Sequence, residues 1–523
     1  MITLQSYLAG QWQQGTGTGS VLRDPVTGDA LAQACGDGLD LAAALEYARA
    51  TGGPALRAMS YAARAGLINQ IAGVLTANRD RYVEIALKNS GNTAVDAMMD
   101  IDGGIGTLKY YASLGRKLGE VSMLAEAGSD QLAKDETFRV MHLWTPLTGV
   151  AVHINAFNFP SWGLWEKAAV ALLAGVPLLA KPATATCWLS YEMIRDIVAA
   201  GIVPAGVLSL LCGGGRDLMD HVRPGDVVSF TGSADTALML RSHPNVLASN
   251  IRFGVEADSL NLCCLGPDVA EDGAEFGFFL REVVKELTIK AGQKCTAIRR
   301  ILVPRAKLDA VIAGLSRDLA AVKIGDPRDS TTRMGPLVSK AQQAAAWEGF
   351  DKLSAETRVV IGGDRAWVPD GIDPAKGCFF PPTLLVSDQP MQGQAVHAVE
   401  VFGPLATVMP YDSEEKAVAL ALLGGGSLAA SLFTADDGFA TRFAAAIAPA
   451  HGRILVVDAS IGKAHTGHGN AMPQCVHGGP GRAGGGEELG GLRGLRFYLQ
   501  RSAIQATQSR LEALRAQAAT VSL

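Results

Sequence analysis

The sequence predicts an α/β protein, and three observations carry that expectation. From Gly149 onward, short apolar runs of strand length alternate with runs whose apolar residues recur at helical spacing, the pattern of a parallel sheet with helices on both faces. Past Leu262 the same alternation resumes, which implies a second α/β unit. Composition agrees: 48% of the residues are hydrophobic but only 6% aromatic, with 60 glycines, a balance suited to a large core of Ala, Val and Leu.

Taken in order, Leu8 to Trp12 reads as an edge strand and turn, and Val21 to Ala34, around Pro25, Gly28 and Asp29, as a hairpin. Helical periodicity covers Leu39–Ala50, Ser60–Ala77, Arg81–Lys88 and Thr93–Leu118, with a break at Asn78-Arg79-Asp80. Ser122 to Leu147 is polar, then alternates from Thr137 to Trp144, and is expected to project as a β-ribbon. Its exposed edges favour a subunit contact. Strands follow at Val150–Ile154, Pro177–Ala180, Val207–Leu211 and Asp226–Phe230, with helices at Trp162–Leu173, Ser190–Ala200 and Ala234–Arg241. The second unit has helices at Phe276–Lys290 and Ala306–Val322, and strands at Arg299–Val303, Leu428–Phe433 and Arg453–Val457. Gly467 to Gly491 is so rich in glycine that it is expected to be loop. Leu495 to Leu499 is expected to be a strand pairing with the ribbon near Phe138, and Thr507 to Ala518 a polar helix.

The net charge of −5, without a basic stripe, speaks against a nucleic-acid partner. The longest apolar run, Ala168–Ala180, is too short for a bilayer and contains Gly175 and Pro177. The start of the chain lacks the pattern of a secretory signal, and the eight scattered cysteines form no CxxC, so a reducing, cytoplasmic setting is expected. His153, His465, His468 and His477 show no metal-ligand spacing, and no metal is expected.

One cysteine stands apart. Cys295 follows the turn Ala291-Gly292-Gln293-Lys294, directly behind an amphipathic run, a setting that presents a thiol at a cleft. Cys263-Cys264, by contrast, lies in an apolar strand and reads as core.

Around Cys295 the chain carries an ordered series of motifs. They are Phe157-Asn158-Phe159-Pro160, Lys181-Pro182-Ala183, Phe230-Thr231-Gly232-Ser233, Gly292-Gln293-Lys294-Cys295, Met334-Gly335-Pro336-Leu337, Phe380-Pro381-Pro382-Thr383 and Glu400-Val401-Phe402-Gly403-Pro404. In this series and over nearly its whole length the chain resembles the aldehyde dehydrogenase superfamily. The resemblance implies a Rossmann-type cofactor domain (1–121 and 149–255), an α/β catalytic domain (256–466), an oligomerisation arm (122–148 and 487–505), the glycine-rich loop (467–486) and a C-terminal helix (506–523). It implies a homodimer or an assembly of dimers.

The resemblance also implies roles. Cys295 falls on the family's nucleophile, which adds to an aldehyde to give a thiohemiacetal and, after hydride loss, a thioester. Asn158 falls on the oxyanion donor, and two preorganised donors suit a charge that grows near the transition state. Glu256 is the expected general base, a carboxylate of raised pKa in an apolar site, with Asp258 as its rival. Here the chain departs from the family: where relatives read Leu-Glu-Leu-Gly-Gly, it has Phe253-Gly254-Val255-Glu256-Ala257-Asp258-Ser259, which sets Glu256 two positions late if Ser259 and Asn261 anchor the comparison. Lys167 and Glu488 match a proton relay that Glu166 could join; the alternative is a surface charge on a helix. Phe157 belongs to the motif that lines the cofactor site. Lys181 matches the lysine that meets the adenosine ribose, and Gly232-Ser233 would open the helix facing the pyrophosphate. Glu400 and Phe402 match the pair holding the nicotinamide ribose and ring. Thr184 stands where NAD-preferring members carry glutamate, so NADP is the expected cofactor, with NAD as the weaker alternative.

The segments Val255–Asn261, Gly478–Gly485 and Ala291–Cys295 resemble dehydrogenases of coenzyme A-linked ring-cleavage semialdehydes. One branch carries an added hydratase domain, for which this chain has no room; the stand-alone branch is expected. The alternatives are a general medium-chain or aromatic aldehyde dehydrogenase, an acylating enzyme, or a retired nucleotide-binding structural protein.

Overall fold

The computed structural model describes residues 1–522, and two seven-stranded sheets dominate it. The first runs in the order Arg252–Glu256, Val227–Thr231, Ala151–Ile154, Leu178–Lys181, Leu208–Leu210, Ser6–Leu8, Gln11–Gln13. Its first five strands are parallel, and the hairpin Ser6–Gln13 closes one edge antiparallel. Val150, Val152, Leu178 and Leu179 are fully buried, as strands covered on both faces require. The helix Trp162–Ala174 is apolar almost all round and buried from Leu164 to Ala174. It packs against the helices Tyr61–Ala77 and Ala94–Leu118. The latter begins with a capping box: Thr93 accepts from the Asp96 N–H, and Asp96 accepts from the Thr93 N–H.

The second sheet is ordered Arg358–Ile361, Thr383–Val386, Leu405–Tyr411, Arg300–Pro304, Leu262–Leu265, Ser427–Phe433, His451–Val457. All pairings are parallel except that of its first, edge strand. Cys263 and Cys264 are fully buried in its middle.

A separate sheet joins segments far apart in the chain. Phe138–Pro146 pairs antiparallel with Leu499–Thr507, and Met123–Glu126 lies on its other side. Three expectations are corrected here. Leu492–Tyr498 is helical, so the strand begins at Leu499. The helix Gln508–Arg515 is followed by a strand, Ala518–Val521, parallel to Met123–Glu126. The glycine-rich segment is not all loop: Val476–Gly478 and Glu487–Leu489 form an antiparallel pair in which His477 faces Glu488. Among the described residues no helix is long and apolar enough to cross a membrane.

Candidate active site

Parallel sheets open at the carboxyl ends of their strands, and the loops there hold the residues of interest. Asn158 lies between the strand Ala151–Ile154 and the helix Trp162–Ala174; Gly232 and Ser233 follow Val227–Thr231; Glu256 is the last residue of its strand. Cys295 comes from the second half of the chain, between the helix Ala274–Thr288 and the strand Arg300–Pro304.

The Cys295 segment is held by its neighbours rather than by regular structure. Lys290 and Ala291 both adopt φ 51°, a left-handed conformation unusual for residues with a Cβ. Gly292 follows at φ +67°, where a Cβ would come within 2.3 Å of the Gly403 carbonyl oxygen, so glycine is required. Asn261 Nδ2 donates to the carbonyls of Cys295 (2.8 Å) and Ala297 (3.0 Å). Arg299 donates to Gly292, Lys294 and Gly403 carbonyls, and the Val338 N–H donates to Gln293 Oε1. Lys294 and Glu286 form a fully buried ion pair at 2.8 Å. These bonds tie several of the spaced motifs into one scaffold.

Two cavities meet at this point. One is narrow, about 40 Å³, and is lined by Phe159, Trp162, Glu166, Lys167 and His477 among others. The other is a groove of about 530 Å³ lined by Phe157, Lys181, Gly232, Ser233, Glu400 and Phe402 among others. Asn158, Glu256 and Cys295 line both. Asn158 is buried and its Nδ2 has no hydrogen-bond partner, which leaves a donor for a group in the cavity.

The charges are arranged in sequence. Cys295 is partly exposed, yet burial pushes its thiol well above the usual range, and the Glu256 charge pushes it further. Glu256 does not have the raised pKa expected of it. Burial works in that direction, but His477, whose Nε2 is 3.2 Å from Glu256 Oε2, and Lys167 outweigh burial and hold the carboxyl below its ordinary range. His477 moves the opposite way: burial disfavours its charge, but Glu256 and Glu166 raise its pKa. Lys167 Nζ lies 2.9 Å from Glu488 Oε2 and 3.4 Å from Glu166 Oε1, and Ser229 Oγ donates to Glu488 Oε1 at 2.6 Å. Burial raises Glu166 to about 7, against the pull of Lys167. On the groove side, burial raises Glu400 to about 7 although Arg299 is 3.4 Å away, and the Ser259 N–H donates to its Oε2 at 3.0 Å. The Phe402 ring meets Phe157 edge-on at 5.7 Å.

The model of the aldehyde dehydrogenase family matches residues 12–504. The chain belongs to this family. Among curated relatives it is similar to "3,4-dehydroadipyl-CoA semialdehyde dehydrogenase" of Aromatoleum evansii, at 54% identity over 91% of this chain and 93% of the relative. It is also similar to "Protein MaoC" of Klebsiella aerogenes, at 48% identity over 34% of this chain and 52% of that protein. Solved structures share the fold: 3,6-anhydro-L-galactose dehydrogenase superposes with a TM-score of 0.82 at 24% identity, covering 96% of this chain and all of that one. An NAD-dependent aldehyde dehydrogenase of Sinorhizobium meliloti does so with a TM-score of 0.82 at 22% identity, covering 97% and 95%.

In this aldehyde dehydrogenase the expected residues are brought together with few exceptions. Glu166 and Lys167 are buried, which overturns the reading of a surface charge on a helix. Asp258 faces the groove, where its Oδ1 accepts from the Ala234 N–H at 3.1 Å; it does not line the narrow cavity. Ser233 caps the helix Ala234–Arg241, accepting from the Thr236 N–H. Lys181 lines the groove and makes no ion pair among the described residues, whereas Thr184 opens the short turn Thr184–Thr186 and is not part of the groove lining. His477 is the residue that sequence reasoning missed. Metal-ligand spacing was no guide to a histidine whose partner is a carboxylate more than two hundred residues earlier.

Proposed function

We propose that this chain oxidises the aldehyde of a coenzyme A-linked semialdehyde, of the 3,4-dehydroadipyl-CoA semialdehyde type, to the free acid with NADP, in the breakdown of benzoyl-CoA. The observation that carries the reading is the placement of Cys295, Asn158 and Glu256 on the shared wall of a narrow cavity and a long groove. The substrate class follows the name of the Aromatoleum relative at 54% identity.

The groove fits a dinucleotide. Lys181 offers a cation without an ion-pair partner among the described residues, Phe402 and Phe157 offer apolar faces, and the helix at Ala234 presents its N-terminus. NADP, when bound, would supply the hydride acceptor. Thr184 lies outside the groove lining but only three residues past Lys181, and the absence of a carboxylate there removes a charge that would repel a 2′-phosphate.

The chain's own residues do the rest. The thiol is protonated at rest, and Glu256 is the carboxylate placed to take its proton. Cys295 then attacks the carbonyl carbon. Asn158 Nδ2 and the Cys295 N–H hold the oxyanion, which collapses as hydride leaves and a thioester forms. Glu256 passes the thiol proton on toward Glu166, Lys167 and Glu488, then draws a proton from the water that attacks the thioester; the acid leaves and that proton returns to the Cys295 sulfur, restoring the thiol. Protons leave through Glu166, Lys167 and Glu488, which run from the narrow cavity to a third cavity bordered by Glu487 and Phe497. The narrow cavity admits the aldehyde end of the acyl chain, and its volume keeps the coenzyme A moiety outside.

The division into domains follows from this reading: 1–121 with 149–255 holds the cofactor, 256–466 carries Cys295, and the sheet of 122–148 with 487–505 pairs subunits in a cytoplasmic homodimer. The test is a comparison of cofactor reduction with coenzyme A-linked semialdehydes against free aldehydes, with NADP and with NAD. Equal rates on free aliphatic aldehydes would favour a general aldehyde dehydrogenase; stoichiometric uptake of free coenzyme A would make it an acylating enzyme.

A further inference from the structure

We infer that Cys295, His477 and Glu256 form a reversible site for a borderline-soft divalent cation, with zinc as the type, and that its occupancy shuts the active site. Each residue offers one ligand atom: the Cys295 sulfur, His477 Nε2 and a Glu256 carboxylate oxygen, all within 4.8 Å of one another. Tetrahedral zinc, with bonds of about 2.0–2.3 Å, needs its ligand atoms roughly 3.3–3.8 Å apart, so the trio contracts by about 1.5 Å at most. His477 Nε2 and Glu256 Oε2 are already 3.2 Å apart.

The three ligands come from separate supports: a strand end at Glu256, the pinned segment at Cys295 and the hairpin at His477. Glu256 Oε1 is buried without a hydrogen-bond partner, which leaves it free to join a cation. Thiolate, imidazole and carboxylate together select zinc over magnesium or calcium. The narrow cavity lies beside all three and leaves a fourth position for water, the arrangement of an open zinc site. Lys167 would repel a cation, but its charge is balanced by Glu488 at 2.9 Å and Glu166 at 3.4 Å. Binding displaces the thiol proton, and any proton on His477 Nε2, to solvent. His477 Nδ1 has no acceptor to orient the ring, so affinity falls about ten- to a hundredfold short of a centre with that support.

Blockade rests on Cys295 being the nucleophile, because a sulfur bound to metal cannot add to a carbonyl; binding of the metal does not. Cobalt(II) is the probe, titrated into the metal-free full-length protein. The expected result is one equivalent bound, with intense tetrahedral d–d bands and a thiolate-to-cobalt charge-transfer band, and displacement by zinc. Cys295→Ser should remove the charge-transfer band, and His477→Gln should weaken cobalt binding at least about tenfold. Cys475→Ser, which alters the exposed thiol, should leave both unchanged. In the wild-type protein, zinc should protect Cys295 from alkylation, read by mass spectrometry, which avoids reliance on variants that fold poorly. No band, a band surviving in Cys295→Ser, or one lost in Cys475→Ser overturns the site. Zinc that binds at Cys295 yet leaves turnover intact overturns the blockade. If the protein oxidises no aldehyde while the cobalt band is present, the function proposed above fails and the metal site stands.

Discussion

The two seven-stranded sheets make an instructive pair. Both are parallel in their interiors with one antiparallel edge, and both open toward the same place. The first ends in side chains that leave directly from strand ends and tight turns: Asn158, Thr231 and Glu256. The second brings Cys295 on an irregular segment with two left-handed residues, fixed by Asn261, Gln293 and Arg299. Neither unit has a complete site. One supplies donors and a carboxylate on rigid supports, and the other supplies the Cys295 thiol, whose position depends on many hydrogen bonds.

The comparison can be broken from either side. Cys295→Ala removes the whole contribution of the second sheet and should lower turnover at least about 10⁴-fold while leaving NADP bound, measured by steady-state cofactor reduction and binding titration. Glu256→Gln should slow acid release about 10²- to 10⁴-fold, more than the first hydride transfer, so pre-steady-state traces should show a burst. An undiminished steady state would move the base elsewhere. Asn158→Ala should cost about 10²- to 10³-fold in kcat with little change in KM. Thr184→Glu should shift the ratio of kcat/KM for NADP over NAD at least about tenfold toward NAD. The smallest effect is expected at His477. Without its charge, burial prevails at Glu256, so the acid limb of the pH–rate profile in His477→Gln should rise by about one unit.

The same pair makes a prediction for stability. Glu256 is depressed, so its contribution is present above the ordinary carboxylate pKa and lost as pH falls through its folded value. His477 is raised, so its contribution is present below the ordinary imidazole pKa and lost as pH rises through its folded value. The melting temperature of the wild type should therefore exceed that of His477→Gln most between about pH 4 and 6.5. A difference that keeps growing above that window would show that the histidine acts through packing.

Much of the fold was legible because apolar periodicity decides it. The helices Tyr61–Ala77 and Ala94–Leu118 are read nearly to the residue, and the strand around Cys263-Cys264 is read without its bounds. Leu492–Tyr498 was misread because Leu495, Phe497 and Leu499 alternate, while Leu492, Leu495 and Tyr498 also fit a helical face; burial of Leu495 and Tyr498 against the core decides for the helix. The hairpin holding His477 was hidden because glycine lowers local preference, and long-range pairing between Val476 and Leu489 restores order that no local signal announces. For the same reason the depression of Glu256 could not be read from its own segment: the partner that reverses the effect of burial arrives late in the chain.

The sheet around Phe138–Pro146 has a consequence for biosynthesis. Its inner strands are made early, but their partners Leu499–Thr507 and Ala518–Val521 leave the ribosome much later. The first seven-stranded sheet has all its strands once Glu256 is translated, so it can fold during synthesis. Until the last segments emerge, Phe138–Pro146 waits with a bare edge in a crowded cell, and a chaperone or a nascent neighbour has its best opportunity there.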